Sequence, residues 1–192
     1  MNNILNKQQI ANLVQILGKI KDLRRGGWIK RQVSSSESDA DHMYSLAIEI
    51  LLLAPPHLDR CHCLELALTH DLQEIYATDI LPGQMEPQQK YQIELAAARR
   101  LADELNFPQL TDWFTEFENQ STPESRFVKC LDKTDNVITA AYYEREGRNS
   151  QPLMEEFSGH ALRQITALTC PDKEICLQII NFLREEKNQK TE

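Results

Sequence analysis

Residues 68–81 read LTHDLQEIYATDIL, and how they are read decides the fold. Leu64, Leu66, Ala67 and Leu68 lead into them as the apolar side of a helix. Yet His70, Asp71, Glu74 and Asp79 follow before Pro82-Gly83 breaks the chain. A helix is predicted from about Asp59 to Ala77, on which Glu74 lies four residues after His70 and three after Asp71, on their face. Buried carboxylates are costly unless they are paired or bound to a metal. The stretch is therefore expected to carry chemistry as well as packing.

Working outward, the chain reads as one helix after another with no convincing strand. Residues 8–22 set Ile10, Leu13, Val14, Leu17 and Ile20 on one stripe, which predicts a helix ended by Gly26-Gly27. A polar segment, QVSSSESDAD, supplies N-caps for a helix over about 40–54. Further helices are predicted over about 86–105, then, after a short aromatic piece (Trp113, Phe114, Phe117), from Ser121-Thr122-Pro123-Glu124 to about Glu146, and over 152–169 and 172–187. There is no internal repeat and no long linker. The expectation is one all-α domain over residues 1–187, with a frayed charged tail over 188–192.

Composition narrows the function. The chain has 192 residues, 41% of them hydrophobic, which is enough for a core of ordinary size. The longest apolar run, Ile50–Ala54, is far too short to span a bilayer. No basic-then-apolar leader is visible, and five cysteines are an odd number. Reduced thiols in a cytoplasmic protein are expected. A net charge of −8 argues against a nucleic-acid polymer as partner. Residues 19–31 nevertheless hold six Lys or Arg and one Asp, a basic corner able to attract a small anion.

Two more polar residues sit on helices with apolar flanks: His42 in DADHMYSLAIEILLLA and Asp132 in RFVKCLDKTDNVITAAYY. His42, His70, Asp71 and Asp132 together offer two imidazoles and two carboxylates. A mixed nitrogen–oxygen set suits a first-row divalent ion and leaves coordination positions open for hydrolysis.

The order His…His-Asp…Asp resembles the signature of the HD-domain phosphohydrolases. RRGGWIKR…SESDADHMY, LALTHDLQEIYATDILPG and ESRFVKCLDKTDN resemble the 5′-deoxynucleotidase branch of that family over about residues 13–145. The resemblance implies an HD-type helical bundle, usually a homodimer. Its activity would be hydrolysis of deoxyribonucleoside 5′-monophosphates to deoxynucleoside and phosphate, with water activated by a divalent metal. Co²⁺ or Mn²⁺ is the implied ion, with Fe²⁺, Ni²⁺, Zn²⁺ and Mg²⁺ as alternatives. His42, His70, Asp71 and Asp132 fall on the metal ligands, Glu74 on the catalytic acid and Asp79 on the residue that contacts the deoxyribose. Arg25 best matches the phosphate-binding arginine, and Trp28 the tryptophan beside it. In some relatives that tryptophan follows the arginine directly, whereas here Gly26-Gly27 intervenes, so Arg24 and Arg31 stay in competition for the phosphate role.

Two other readings remain open. One keeps the metal site but takes another small phosphate ester, or a nucleotide di- or triphosphate, which would want more basic residues than the cluster at 19–31. The other is a helical binding protein with a structural metal. Cys61-His62-Cys63 lacks the second ligand pair that structural zinc needs. His57 and His160 read as surface residues, and Tyr142-Tyr143 and Trp113-Phe114 as core aromatics.

Overall fold

The computed structural model describes residues 6–81, 83–149 and 151–189. Within them run ten helices: α1 (Lys7–Asp22), α2 (Gly26–Lys30), α3 (Asp39–Leu53), α4 (Arg60–Ala67), α5 (Glu74–Ala77), α6 (Pro87–Leu105), α7 (Gln109–Asn119), α8 (Pro123–Arg145), α9 (Leu153–Ala167) and α10 (Glu174–Gln189). Local chemistry sets many of the boundaries. Asn6, Ser38 and Thr122 each close a capping box over the first turn of α1, α3 and α8. Proline occupies the first turn of α6 and α8, where its missing N–H leaves nothing unpaired.

The 23-residue α8 is the axis. Phe127, Val128, Cys130, Leu131, Val137 and Ala140 on it are fully buried. Helices α3, α4, α7, α9 and α10 pack around it, with α1, α5 and α6 forming a flank beyond. Each fully buried large apolar side chain contributes about 1.5–3 kcal/mol relative to exposure. Leu46, Ile50, Leu66, Leu131, Leu153, Ile165 and Ile180 therefore tie α3, α4, α8, α9 and α10 into one core. The chain is a single all-α domain. No helix among the described residues is long and apolar enough to cross a membrane.

Four local expectations are corrected. On α1 the stripe Ile10, Val14 and Leu17 faces solvent, at 49%, 67% and 46% exposure, while Ile16 and Ile20 are buried. Periodicity there marked an apolar face without saying whether this chain covers it. Second, Gly26-Gly27 begins a helix instead of ending one: α1 stops at Leu23, which turns extended, and the Gly26 N–H is capped by Asp79 Oδ2 at 2.6 Å. Third, the continuous helix predicted over 59–77 is interrupted. Residues 68–73 form tightened turns, in which Thr69 Oγ1 donates to the Glu65 carbonyl and the His70 ring to the Ala67 carbonyl. These side-chain bonds compete with the helical ladder. Fourth, α10 runs on to Gln189, and residues 190–192 of the expected frayed tail lie outside the described residues, as does Pro82.

Candidate metal centre and active site

His42 comes from the first turns of α3, Asp132 from the middle of α8, and His70 from the turn after α4. All three are buried, and one donor atom from each lies within 4.8 Å of the others. Their orientation is fixed from behind. His70 Nδ1 stands 2.9 Å from the Ala67 carbonyl, which can only accept, so that nitrogen carries the proton and Nε2 presents its lone pair. His42 Nδ1 stands 2.6 Å from Asp135 Oδ2, the carboxylate backing common behind metal-bound imidazoles.

The forward-facing atoms meet the test for a cation site. His42 Nε2 lies 3.3 Å from Asp132 Oδ1, and His70 Nε2 lies 3.1 Å from Asp71 Oδ2. Yet neither Nε2 atom makes a hydrogen bond, although both are buried. Lone pairs that converge on a shared point without bonding each other suit a bound ion. The field agrees. Burial and Arg25 push the His42 imidazole down, but Asp132 and Asp135 outweigh them and hold it up at about 10. Burial would raise the Asp132 carboxyl, but Lys133, His42 and His70 hold it well below the usual carboxylate range. The centre is built to hold positive charge, and its donors suit a divalent cation.

Asp71 stands slightly apart. It is not among the mutual set of three, and its Oδ2, 3.9 Å from His42 Nε2, lies 3.0 Å from Arg25 Nη1. Arg25 is held by several partners. Its Nε is 3.4 Å from Glu37, its Nη2 is 3.3 Å from Asn136 Oδ1, and its Nη1 is 3.7 Å from Asp39. Burial opposes the charge on this guanidinium, but Asp71, Glu37, Asp132 and Asp39 outweigh that and raise its proton affinity. Of the three arginines considered, Arg25 alone touches the His-Asp centre. Arg24 turns to the Ser36 carbonyl, and Arg31 is paired with Glu156.

A cavity of about 390 Å³, in the size range of small-molecule sites, opens onto this centre. Arg25, Asp71, Glu74, Asp79 and Asp132 all line it. Glu74 is 7% exposed; burial, then Asp71, Asp79 and Asp39, push its carboxyl well above the ordinary range. Asp79 is placed by Thr78, whose φ of 64° and ψ of 160° is a backbone region that glycine favours. That turn sets the Asp79 carboxylate against the start of α2. Trp28 is one of the lining residues of this cavity but is otherwise buried in the core. It is 1% exposed, stacked on Phe157 at 4.4 Å, set edge-on to Tyr143 at 5.2 Å, and donates to Glu37. Its edge can support the cavity wall, but its face is taken.

Four buried or half-buried acids around the centre were missed in the sequence: Glu37, Asp39, Glu49 and Asp135. Helical spacing carried a signal for two of them, since Asp135 lies three residues after Asp132 and Glu49 seven after His42. Burial and then the Asp135 carboxylate push Glu49 up to about 10. Glu37 and Asp39 precede α3 and enter its first turn, where no periodicity marks an inward side chain. Among the discounted residues, His57 is exposed and pairs with Asp172, while His62 pairs with Glu65 and Glu116. Tyr143 and Phe114 are core residues as expected, and Tyr142 is 48% exposed.

Comparison with known proteins agrees with this geometry. Residues 17–169 match the HD domain family. A 5′-deoxynucleotidase of Xenopus laevis is 31% identical over 186 residues, covering 94% of this chain and 89% of that protein. A 5′-deoxynucleotidase of Bos taurus is 33% identical over 141 residues, covering 71% of this chain and 69% of that protein. The crystal structure of a Pyrococcus horikoshii OT3 protein superposes with a TM-score of 0.75 at 28% identity, covering 91% of this chain and 97% of that one. The inward His42–His70–Asp132 centre and these matches lead to one conclusion: this chain belongs to the HD domain family.

Proposed function

We propose that the protein is a metal-dependent 5′-deoxynucleotidase that hydrolyses deoxyribonucleoside 5′-monophosphates to deoxynucleoside and phosphate. The observation that carries this reading is the pair of buried, unbonded imidazole nitrogens converging with Asp132 beside a cavity that also presents Arg25, Glu74 and Asp79. The match to proteins named 5′-deoxynucleotidase supports the substrate class. A structural metal would not need Glu74 and Asp79 in the same cavity, which disfavours a binding protein.

His42, His70, Asp71 and Asp132 would hold the ion, with Asp71 shared between it and Arg25. Bound there, a divalent ion supplies Lewis acidity for water and for phosphoryl charge. Co²⁺ or Mn²⁺ fits the two-nitrogen, two-carboxylate set. Asp135 and the Ala67 carbonyl hold both imidazoles by Nδ1, which leaves Nε2 of each turned toward Asp132 and Asp71. Glu74, whose carboxyl is pushed well above the ordinary range by burial among carboxylates, is placed to pass a proton to the departing sugar oxygen. Arg25 would hold non-bridging phosphoryl oxygens with the donors that Asp71 and Asn136 leave spare. Asp79 would accept from the sugar 3′-hydroxyl while its other oxygen stays on the Gly26 N–H. Trp28 takes a supporting role behind Arg25, through their shared partner Glu37.

The functional domain is read as residues 1–187. A cytoplasmic location fits the five free thiols. A homodimer fits the apolar faces of α1 and α3 that the described residues leave uncovered. The test is metal-dependent phosphate release from a panel of deoxy- and ribonucleotides. Turnover confined to deoxynucleoside monophosphates is expected, and no turnover of any of them would end this reading.

A further inference from the structure

Helices α2, α8 and α9 build a second wall of the cavity that no step above uses. Lys30 and Arg31 come from the end of α2, Lys133 from α8, and His160 and Arg163 from α9; all five line the cavity. Lys133 joins this wall to the metal centre, because its Nζ lies 2.7 Å from Asp132 Oδ2. Arg31 is compensated by Glu156, its guanidinium lying over the Phe157 ring at 4.7 Å. Lys30 and Arg163 have no ion pair or hydrogen bond among the described residues, and both are exposed at the mouth. Of the four fixed cations, Arg31 is offset by Glu156 and Lys133 by Asp132, which leaves Lys30 and Arg163 uncompensated among the described residues of this wall in a protein of net charge −8. Burial, then Lys133, Arg163 and Arg31, also lower the proton affinity of His160. Cations crowded this way repel one another unless an anion sits among them.

We propose that this wall is a second phosphate subsite, taking the β-phosphoryl group of a nucleoside diphosphate whose α-phosphoryl group lies between Arg25 and Asp132. The inference rests on the nucleotide reading of the centre. It adds that a diphosphate is a tighter ligand than a monophosphate, because only the diphosphate reaches both the centre and the α9 wall. Lys133, on the seam, would touch both phosphoryl groups. The inner centre is crowded with carboxylates, so the second phosphate is better placed outward, against the cations, than deeper.

The test uses the Mn²⁺-loaded full chain and calorimetric titration with deoxyadenosine monophosphate, deoxyadenosine diphosphate, orthophosphate and pyrophosphate. In the wild type the diphosphate should bind about tenfold more tightly than the monophosphate, and pyrophosphate should exceed orthophosphate similarly. Arg163→Glu and Lys30→Glu should bring both ratios near unity, with monophosphate kcat kept within about twofold. Arg163→Lys should keep most of the preference. Loss of metal to a chelating ligand would be the same in wild type and variants, so only a change in the ratio reports on the wall. Ratios unchanged in both Glu variants would overturn the subsite, as would a wild-type ratio of one. A preference for pyrophosphate alone would overturn the nucleoside diphosphate assignment. Failure of the wild type to release phosphate from the monophosphate would sink the nucleotidase reading instead, and the binding ratios would still be read.

Discussion

At the scale of single residues, the question is which charges hold metal and which act on substrate. His70→Ala or Asp132→Ala should abolish both metal binding and turnover, since each removes one of few converging donors. Metal content and phosphate release on the folded variants check this, and full stoichiometric metal in either would refute the ligand set. Glu74→Gln should instead keep the metal while kcat falls by about 10²–10⁴, the range typical of a lost general acid. A variant that lost metal along with activity would move Glu74 into the ligand set. Glu94 on α6 gives a pH-dependent case. It is 3% exposed beside Lys90, and burial raises its carboxyl to about 7 from 4.5. A carboxyl raised on folding binds its proton more tightly in the native state. Stability is then lost as pH rises from about 4.5 through about 7. Glu94→Gln should therefore gain on the wild type by on the order of 1–3 kcal/mol at pH 8, with the gain vanishing near pH 4. Melting curves of both proteins at the two pH values measure it, and a pH-independent difference would be the contrary result.

At the scale of elements, the segment from α4 to α6 is where structure departs most from helical expectation. Helix α4 stops at Ala67, a turn presents His70 and Asp71, and α5 lasts four residues before Thr78 enters its glycine-like conformation. Such a residue costs about 1–3 kcal/mol and persists where its surroundings demand it. Here the demand is the Asp79 carboxylate on the Gly26 N–H, which joins the α5 exit to the start of α2. Thr78→Gly should relieve the strain and leave or raise the melting temperature. It should also raise KM for the nucleotide several-fold, because Asp79 is no longer held. An unchanged KM would show that Asp79 needs no such support. The interruption of α4 could not be read from residue spacing, because apolar periodicity runs on through it. Competing bonds from Thr69 and His70 to carbonyls one turn back broke the helix. Such bonds depend on side-chain rotamers, which a residue pattern does not specify.

At the scale of the molecule, α3 exposes Tyr44 (67%), Ile48 (38%), Leu51 (48%) and Leu52 (78%), an apolar face that the described residues leave uncovered. If two copies meet there, Leu52→Glu should convert a dimer to a monomer in light scattering, and a monomeric wild type would reject the pairing. Much of the architecture was present in composition and period. Capping residues, prolines and apolar runs placed most of the helices, and the His…His-Asp…Asp order with Glu74 and Asp79 marked the pocket. These features are local or chemically rare, so they survive in one dimension. The stripe on α1 failed because a period tells which residues share a face, and coverage depends on what the rest of the chain brings to it. Spacing could not separate Arg25 from Arg24 and Arg31, since its place beside the His-Asp centre depends on Asp71, Glu37 and Asn136 arriving from three other segments. The same holds for the α9 wall, where Arg163 and Lys133 stand far from the basic corner at residues 19–31 in sequence. Helix order follows from short-range propensity and patterning, whereas the sign and reach of the field in the cavity are sums over distant residues that only folding brings within range.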